Sequence, residues 1–206
     1  MATQKKSPIA SERDEGARGL WWWLAQRFDA GRLVFVDECG THTSMTRLYS
    51  RAPKGERAYG KVPRNRGKNT TLIASMTLEE GIGASMVSEG ATDAKVFEAY
   101  VEHFLAPTLE EGQVVVMDRL PAHRTGRVGE LIEERGAELR FLPSYSPDLN
   151  PIEEAFSKIK GVLRKAAART KEALIEAIAQ ALSGVTPRDA KGWFKHCGYN
   201  IEDQLS

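Results

Sequence analysis

Residues 33–37 read LVFVD and residues 113–118 read QVVVMD. Both are short runs of apolar, largely β-branched residues that end on an aspartate. Such runs without alternation suit strands covered on both faces. A third acid, Glu153, stands in YSPDLNPIEE (145–154), just inside a segment of helical period. If the two strands lie side by side and parallel, Asp37 and Asp118 emerge together at one sheet edge, and open α/β sheets place their chemistry at the carboxyl ends of strands. Three carboxylates on rigid elements then suit a pair of divalent metal ions and phosphodiester chemistry.

The remaining patterns extend this outline. Residues 11–28 predict a helix carrying the apolar cluster LWWWL, after a polar lead-in over the first eleven residues or so. Ser44–Ser50 and Thr70–Thr77 read as strands, separated by a basic loop rich in Pro and Gly. Val96, Phe97, Tyr100, Val101, Phe104 and Leu105 form one apolar stripe of a helix stopped by Pro107. A shorter helix runs through Val128, Leu131 and Ile132 to Gly136, and Glu138–Leu142 reads as a strand. Ile152, Ala155, Phe156, Ile159, Val162 and Leu163 keep a 3.6-residue period after Pro151, a favoured first-turn residue. A last helical region carries Leu174, Ile175, Ile178 and Leu182. The order implies an α/β fold, a mixed sheet with helices on its faces. Residues 1–30 are expected to form a lead-in and helix, and 31–206 the catalytic domain.

The 206 residues carry a net charge of +1, unevenly spread. From Arg47 to Lys68 eight basic residues stand against Glu56 alone, and from Phe156 to Lys171 six stand against no acid. Two basic segments point to a polyanionic partner more than a uniformly mixed surface does. Arg64, Arg66 and Lys68 in the loop, with Lys158 and Lys160 on the helix of Glu153, are the candidate phosphate contacts. Two cysteines, Cys39 and Cys197, supply neither a disulfide framework nor a zinc site. LWWWLA is too short to cross a bilayer and the N-terminus lacks a signal-peptide core, so a reducing cytoplasmic setting with no membrane partner is expected.

Each acid also has a structural reading. Strand-ending Asp is common in turns. Asn150 and Glu153 match the spacing of a helix capping box. Glu38 competes with Asp37, but neighbours on a strand point to opposite faces; Asp37 is preferred because it shares a face with Leu33 and Phe35. His123, five residues after Asp118, is a candidate to orient a phosphate or water. The segment Gly67–Thr70 fails as a phosphate-binding loop, because Lys68 is followed by Asn and no strand leads into it.

The segments VFVDECGTHTSMTRLYSRAPKGER, VVVMDRLPAHR and FLPSYSPDLNPIEEAFSKIK together resemble the catalytic (DDE) domain of Tc/mariner-type transposases, in the bacterial insertion-sequence branch. The resemblance covers roughly residues 30–200, including the tail GWFKHCGYN. The 34 residues between the second and third acids (119–152) are the family's spacing. It implies a ribonuclease H-like five-stranded mixed sheet flanked by helices, with Asp37, Asp118 and Glu153 as ligands of two Mg²⁺ ions, Mn²⁺ substituting. It further implies DNA cleavage at transposon ends, strand transfer into target DNA at TA, a homodimer, and a bacterial, nucleoid-associated location. Arg119 departs from the Asn often found after the second acid. A helix-turn-helix domain is not evident, so a separately encoded DNA-binding subunit is expected. A catalytically silent DNA-binding remnant and a nuclease without strand transfer are the rival readings.

Overall fold

The computed structural model describes residues 10–201; most of the expected lead-in, residues 1–9, and the last five residues lie outside it. Five strands form one sheet in the order β3-β2-β1-β4-β5: β1 Leu33–Thr41, β2 Thr70–Thr77, β3 Gly81–Glu89, β4 Val114–Met117 and β5 Glu138–Phe141. The first three are antiparallel neighbours, while β1–β4 and β4–β5 are parallel. The register Leu33↔Val114 and Phe35↔Val116, continued two residues, sets Asp37 opposite Asp118. The side-by-side strands expected from LVFVD and QVVVMD are therefore present.

Alternation along β1 divides the core. Leu33, Phe35 and Cys39 pack beneath α4 (Pro151–Ala166), α5 (Lys171–Ser183), α6 (Pro187–His196) and α1 (Glu15–Ala25). Val34 and Val36 pack on the other face against α2 (Ala94–Tyr100) and α3 (Gly126–Glu133). Side chains close most helix starts: Asp14, Asp93, Thr125 and Thr170 each accept a first-turn N–H, and Thr186 forms a capping box with Asp189. The stripe ending at Pro107 is longer and less regular than one α-helix. It passes into a π-helical turn at Val101–Leu105 and a 3₁₀ turn at Ala106–Thr108, where Pro107 has no N–H to continue the ladder.

Two elements differ from expectation. Ser44–Ser50 is not a strand, and 42–69 carries no regular element. Both edges of β1 are already occupied, by β2 as far as Thr41 and by β4. The segment's carbonyls find a side chain instead: Arg169 Nη1 donates to Thr43 O and Met45 O, each at 2.9 Å, and Met45 is buried. The fifth strand is β3, joined to β2 by the three residues 78–80. Gly81, at φ 80°, supplies the left-handed conformation such a tight hairpin needs.

The expected boundary at residue 30 marks no break in packing. Trp21 and Ala25 belong to the same core as β1 and α4. Of the tryptophan triplet, Trp21 is buried, Trp22 packs against the core, and Trp23 is 55% exposed under the Arg27 guanidinium, 3.4 Å from its ring centre. Trp21 Nε1 donates to the Tyr199 hydroxyl at 3.2 Å, which donates to the Leu149 carbonyl at 2.7 Å. Arg18 grips Asp148 through two bonds, 3.0 and 2.6 Å. The first helix and the tail thus both hold the loop that leads into α4. Tyr199→Phe, which orphans two buried groups, should cost about 2–3 kcal/mol and lower the melting temperature by several degrees. A melting curve unmoved by the change would show that the hydroxyl carries no such load.

Candidate active site

Asp37 and Glu38 leave β1 on opposite faces, as their strand positions require. Asp37 faces α4, and its Oδ2 accepts from Asn150 Nδ2 at 2.8 Å. Its Oδ1 accepts from the Glu38 N–H at 2.7 Å. Glu38 faces the α2–α3 layer, where its Oε2 lies 2.6 Å from His123 Nε2. The other ring nitrogen, Nδ1, lies 2.7 Å from Asp118 Oδ1. His123 is fully buried against Phe97, with ring centres 4.1 Å apart. Asp118 follows β4 directly and also accepts from the Leu120 N–H.

Glu153 is the third residue of α4, and the capping-box reading fails there. Asn150 makes no side-chain cap; its amide is spent on Asp37. That role of Asn150 was not legible in sequence, where the same residue at the same spacing reads as a helix cap. Asn150 Oδ1 is buried without a hydrogen-bond partner. Asp37, Asp118, Arg119, Tyr145, Asn150 and Glu153 line one cleft of about 350 Å³. Tyr145 adopts a left-handed backbone there, φ 56°.

The charges in this cleft oppose one another. Asp37 is only 7% exposed. Burial pushes its carboxyl up to about 7; the Glu38 N–H lowers it, and the carboxylates of Asp118, Glu153 and Glu38 raise it further. Burial also raises Glu153, with Lys160 pulling it down and Asp118 pushing it up. For His123, burial disfavours the charged ring, but its bonds to Asp118 and Glu38 outweigh this and lift it to about 10. Among the described residues, no group of three or more His, Cys, Asp or Glu side chains is drawn together closely enough to hold a metal ion as they stand. The donor chemistry nevertheless fits a hard divalent cation. The cleft offers hard oxygen donors, three carboxylates among them, and the mutual repulsion of those carboxylates is what a cation would relieve.

The expected phosphate contacts separate into distinct settings. Arg64, Arg66 and Lys68 lie in the exposed segment after β1, where Lys68 is 3.6 Å from Glu89. Lys158 is instead committed to Asp189 at 2.6 Å, at the start of α6. Lys160, seven residues beyond Glu153 on the same helix face, acts on Glu153 and on the Cys39 thiol. That i, i+7 spacing is the sequence signal that could have assigned it to the site. Arg119 is exposed and has no ion-pair partner among the described residues.

The model of the family described as DDE superfamily endonuclease matches residues 32–175, which contain all three acids. The chain belongs to this family. Its sequence is 26% identical to the Tcb1 transposase of Caenorhabditis briggsae over 220 residues, spanning 94% of this chain and 80% of that one. Its fold is similar to that of the Mos1 transposase in a paired-end complex with the left transposon end, with a TM-score of 0.74, 18% identity and 96% of this chain covered. This DDE chain spans 63% of that Mos1 chain's length. A Mos1 catalytic domain with raltegravir and Mg gives a TM-score of 0.65 at 15% identity, covering 89% of this chain and 87% of that one. The DDE fold is thus ribonuclease H-like, a mixed five-stranded sheet flanked by helices. No helix among the described residues is long and apolar enough to cross a membrane.

The raised Asp37 carboxyl has a consequence for stability. The folded chain keeps this proton up to about pH 7, whereas the unfolded chain releases it near 3.8. The stabilisation is therefore complete below 3.8 and lost as pH rises through about 7. His123 acts in the same direction at higher pH, with its contribution complete below 6.5 and lost through about 10. Without divalent ions, Asp37→Asn should melt about 4 °C or more above the wild type at pH 8, the equivalent of roughly 1–2 kcal/mol. The gap should shrink steadily as the pH is lowered towards 3.8, below which the folded and unfolded wild type both keep the proton. A difference that stays constant across this range would show that Asp37 is not held protonated by its surroundings.

Proposed function

We propose that the chain is the catalytic part of a Tc/mariner-type transposase that cuts DNA at transposon ends and joins them to target DNA. Within that family we read it as a member of the bacterial insertion-sequence branch, which the motifs of the catalytic segments resemble. The observation that carries this reading is the placement of Asp37 within β1, Asp118 just past β4 and Glu153 in the first turn of α4 around a single cleft. Asp37, Asp118 and Glu153 would together hold the two Mg²⁺ or Mn²⁺ ions. When bound, such ions activate the attacking oxygen and stabilise the leaving one in an in-line displacement. Solved Mos1 complexes with Mn and with Mg support this choice of metal.

The chain's own residues orient the ligands and meet the substrate. The Glu38 N–H and the Asn150 amide hold the Asp37 carboxylate, and Lys160 offsets the charge of Glu153. Arg119, with Arg64 and Arg66 in the exposed segment, supplies charge for phosphates. The donor and target duplexes are expected to approach from this end of the sheet, with TA as the insertion site. A dimer on paired ends completes the proposal. The Mos1 paired-end complex with the left transposon end supports the pairing of ends.

Purified chain should nick supercoiled plasmid with Mn²⁺ or Mg²⁺, and Asp118→Asn or Glu153→Gln should reduce the rate by a factor of at least 10³, the loss of about 4 kcal/mol of transition-state stabilisation. Nicking that survives both changes would remove the triad from the reaction. Covalent donor–target products distinguish a transposase from a simple nuclease. Replacing Arg64 and Arg66 by Ala should weaken binding to all sequences alike and lower the slope of log K against log salt by about two. An altered base preference at constant slope would assign these arginines to bases instead.

A further inference from the structure

Glu38 is the fourth acid at this end of the sheet, and no part of the proposed ligand set uses it. It stands on the far face of β1 from Asp37, and its carboxylate's hydrogen-bond partner among the described residues is His123. His123 in turn is fully buried, with Phe97 across its face and a carboxylate on each nitrogen. Asp118 Oδ1 receives both the ring and the Leu120 N–H, at 2.7 and 3.0 Å. Oδ2 accepts nothing from the described residues and is the oxygen left for a cation. The ring therefore fixes the rotation of the Asp118 carboxylate, and Glu38 fixes the ring.

We propose that Glu38 and His123 are a positioning pair that sets the Asp118 carboxylate from outside the metal coordination, so that Glu38 reaches the site through the imidazole alone. This rests on the reading of Asp118 as a metal ligand. Partners that orient a ligand in this way carry about 10- to 100-fold in metal affinity, because a freely rotating carboxylate must be ordered when the ion binds. The buried ring, held between Glu38 within β1 and Asp118 just past β4, removes that freedom in advance.

The test is calorimetric Mn²⁺ titration of the full chain and its variants, with a melting curve for each to establish folding. Glu38→Ala and His123→Ala should each weaken Mn²⁺ binding by about 10-fold or more. The double variant should be little worse than either single one, since both remove the same restraint. Glu38→Gln, which can still accept from the ring, should stay within about threefold of the wild type. If the two alanine losses multiply, or if Glu38→Gln is as weak as Glu38→Ala, Glu38 is a direct ligand and the proposal is overturned. Wild-type affinity in Glu38→Ala overturns it as well, even where His123→Ala does not fold. Asp118→Asn separates the two levels. If it binds Mn²⁺ as the wild type does, the metal-site reading itself fails; if it loses binding while Glu38→Ala keeps it, only the positioning pair fails.

Discussion

A carboxylate buried in the middle of a central strand, where the neighbouring parallel strand ends, is the constraint around which this molecule is organised. Asp37 stands opposite Asp118 because β1 and β4 pair in parallel register, and α4 brings Glu153 to the same cleft. Three like charges in one place are unfavourable, increasingly so as water is excluded. The surrounding residues limit this cost without abolishing it. A backbone N–H and an amide serve Asp37, an imidazole bridges Asp118 to Glu38, and a lysine faces Glu153. What remains is a site poised to gain from a divalent ion.

The support for that site comes from both ends of the described chain. Glu153 is placed by the start of α4, and the start of α4 is placed by residues 147–150. Asp148 is held by Arg18 of α1, Leu149 by Tyr199 of the tail, and Asn150 by its bond to Asp37. Each of the three consecutive residues is tied to a different element. Packing of α1 on the core is therefore linked to the geometry of the third acid, although α1 contributes no group to the cleft. A change in α1 that leaves the sheet intact would still reach the chemistry through this loop.

Where sequence patterns reported burial, they were legible. LVFVD and QVVVMD could be read as central strands because both faces are covered, and the choice of Asp37 over Glu38 followed from alternation with Leu33 and Phe35. The strand β3 escaped notice because it is an edge strand, mostly half-buried, with glycines where apolar alternation would be sought. Ser44–Ser50 has strand-like composition, but a strand needs a free edge, and its carbonyls are satisfied by Arg169, far away in sequence. Asn150 misled for a related reason. An N-cap residue with a longer-range partner looks the same in sequence as one that caps. Lys158 and Lys160 have equal charge and neighbouring positions, yet their helix faces assign one to Asp189 and the other to Glu153.

Charge along the strand axis gives the molecule a direction that its net charge of +1 conceals. At the carboxyl ends of β1 and β4 lie Arg119 and the segment 42–69, with basic residues greatly in excess. At the opposite end a hollow of about 510 Å³ is lined by Asp29, Glu79, Glu80 and Glu110, with Arg32 as its only cation. That hollow is larger than the carboxylate cleft, but a polyanion would be repelled from it. Because screening at physiological salt acts over about 8 Å, an approaching duplex senses one end of the sheet and not the average. By charge alone the acidic end disfavours a polyanion, so the end that carries Asp37, Asp118 and Glu153 is the one better suited to the DNA of the proposed function.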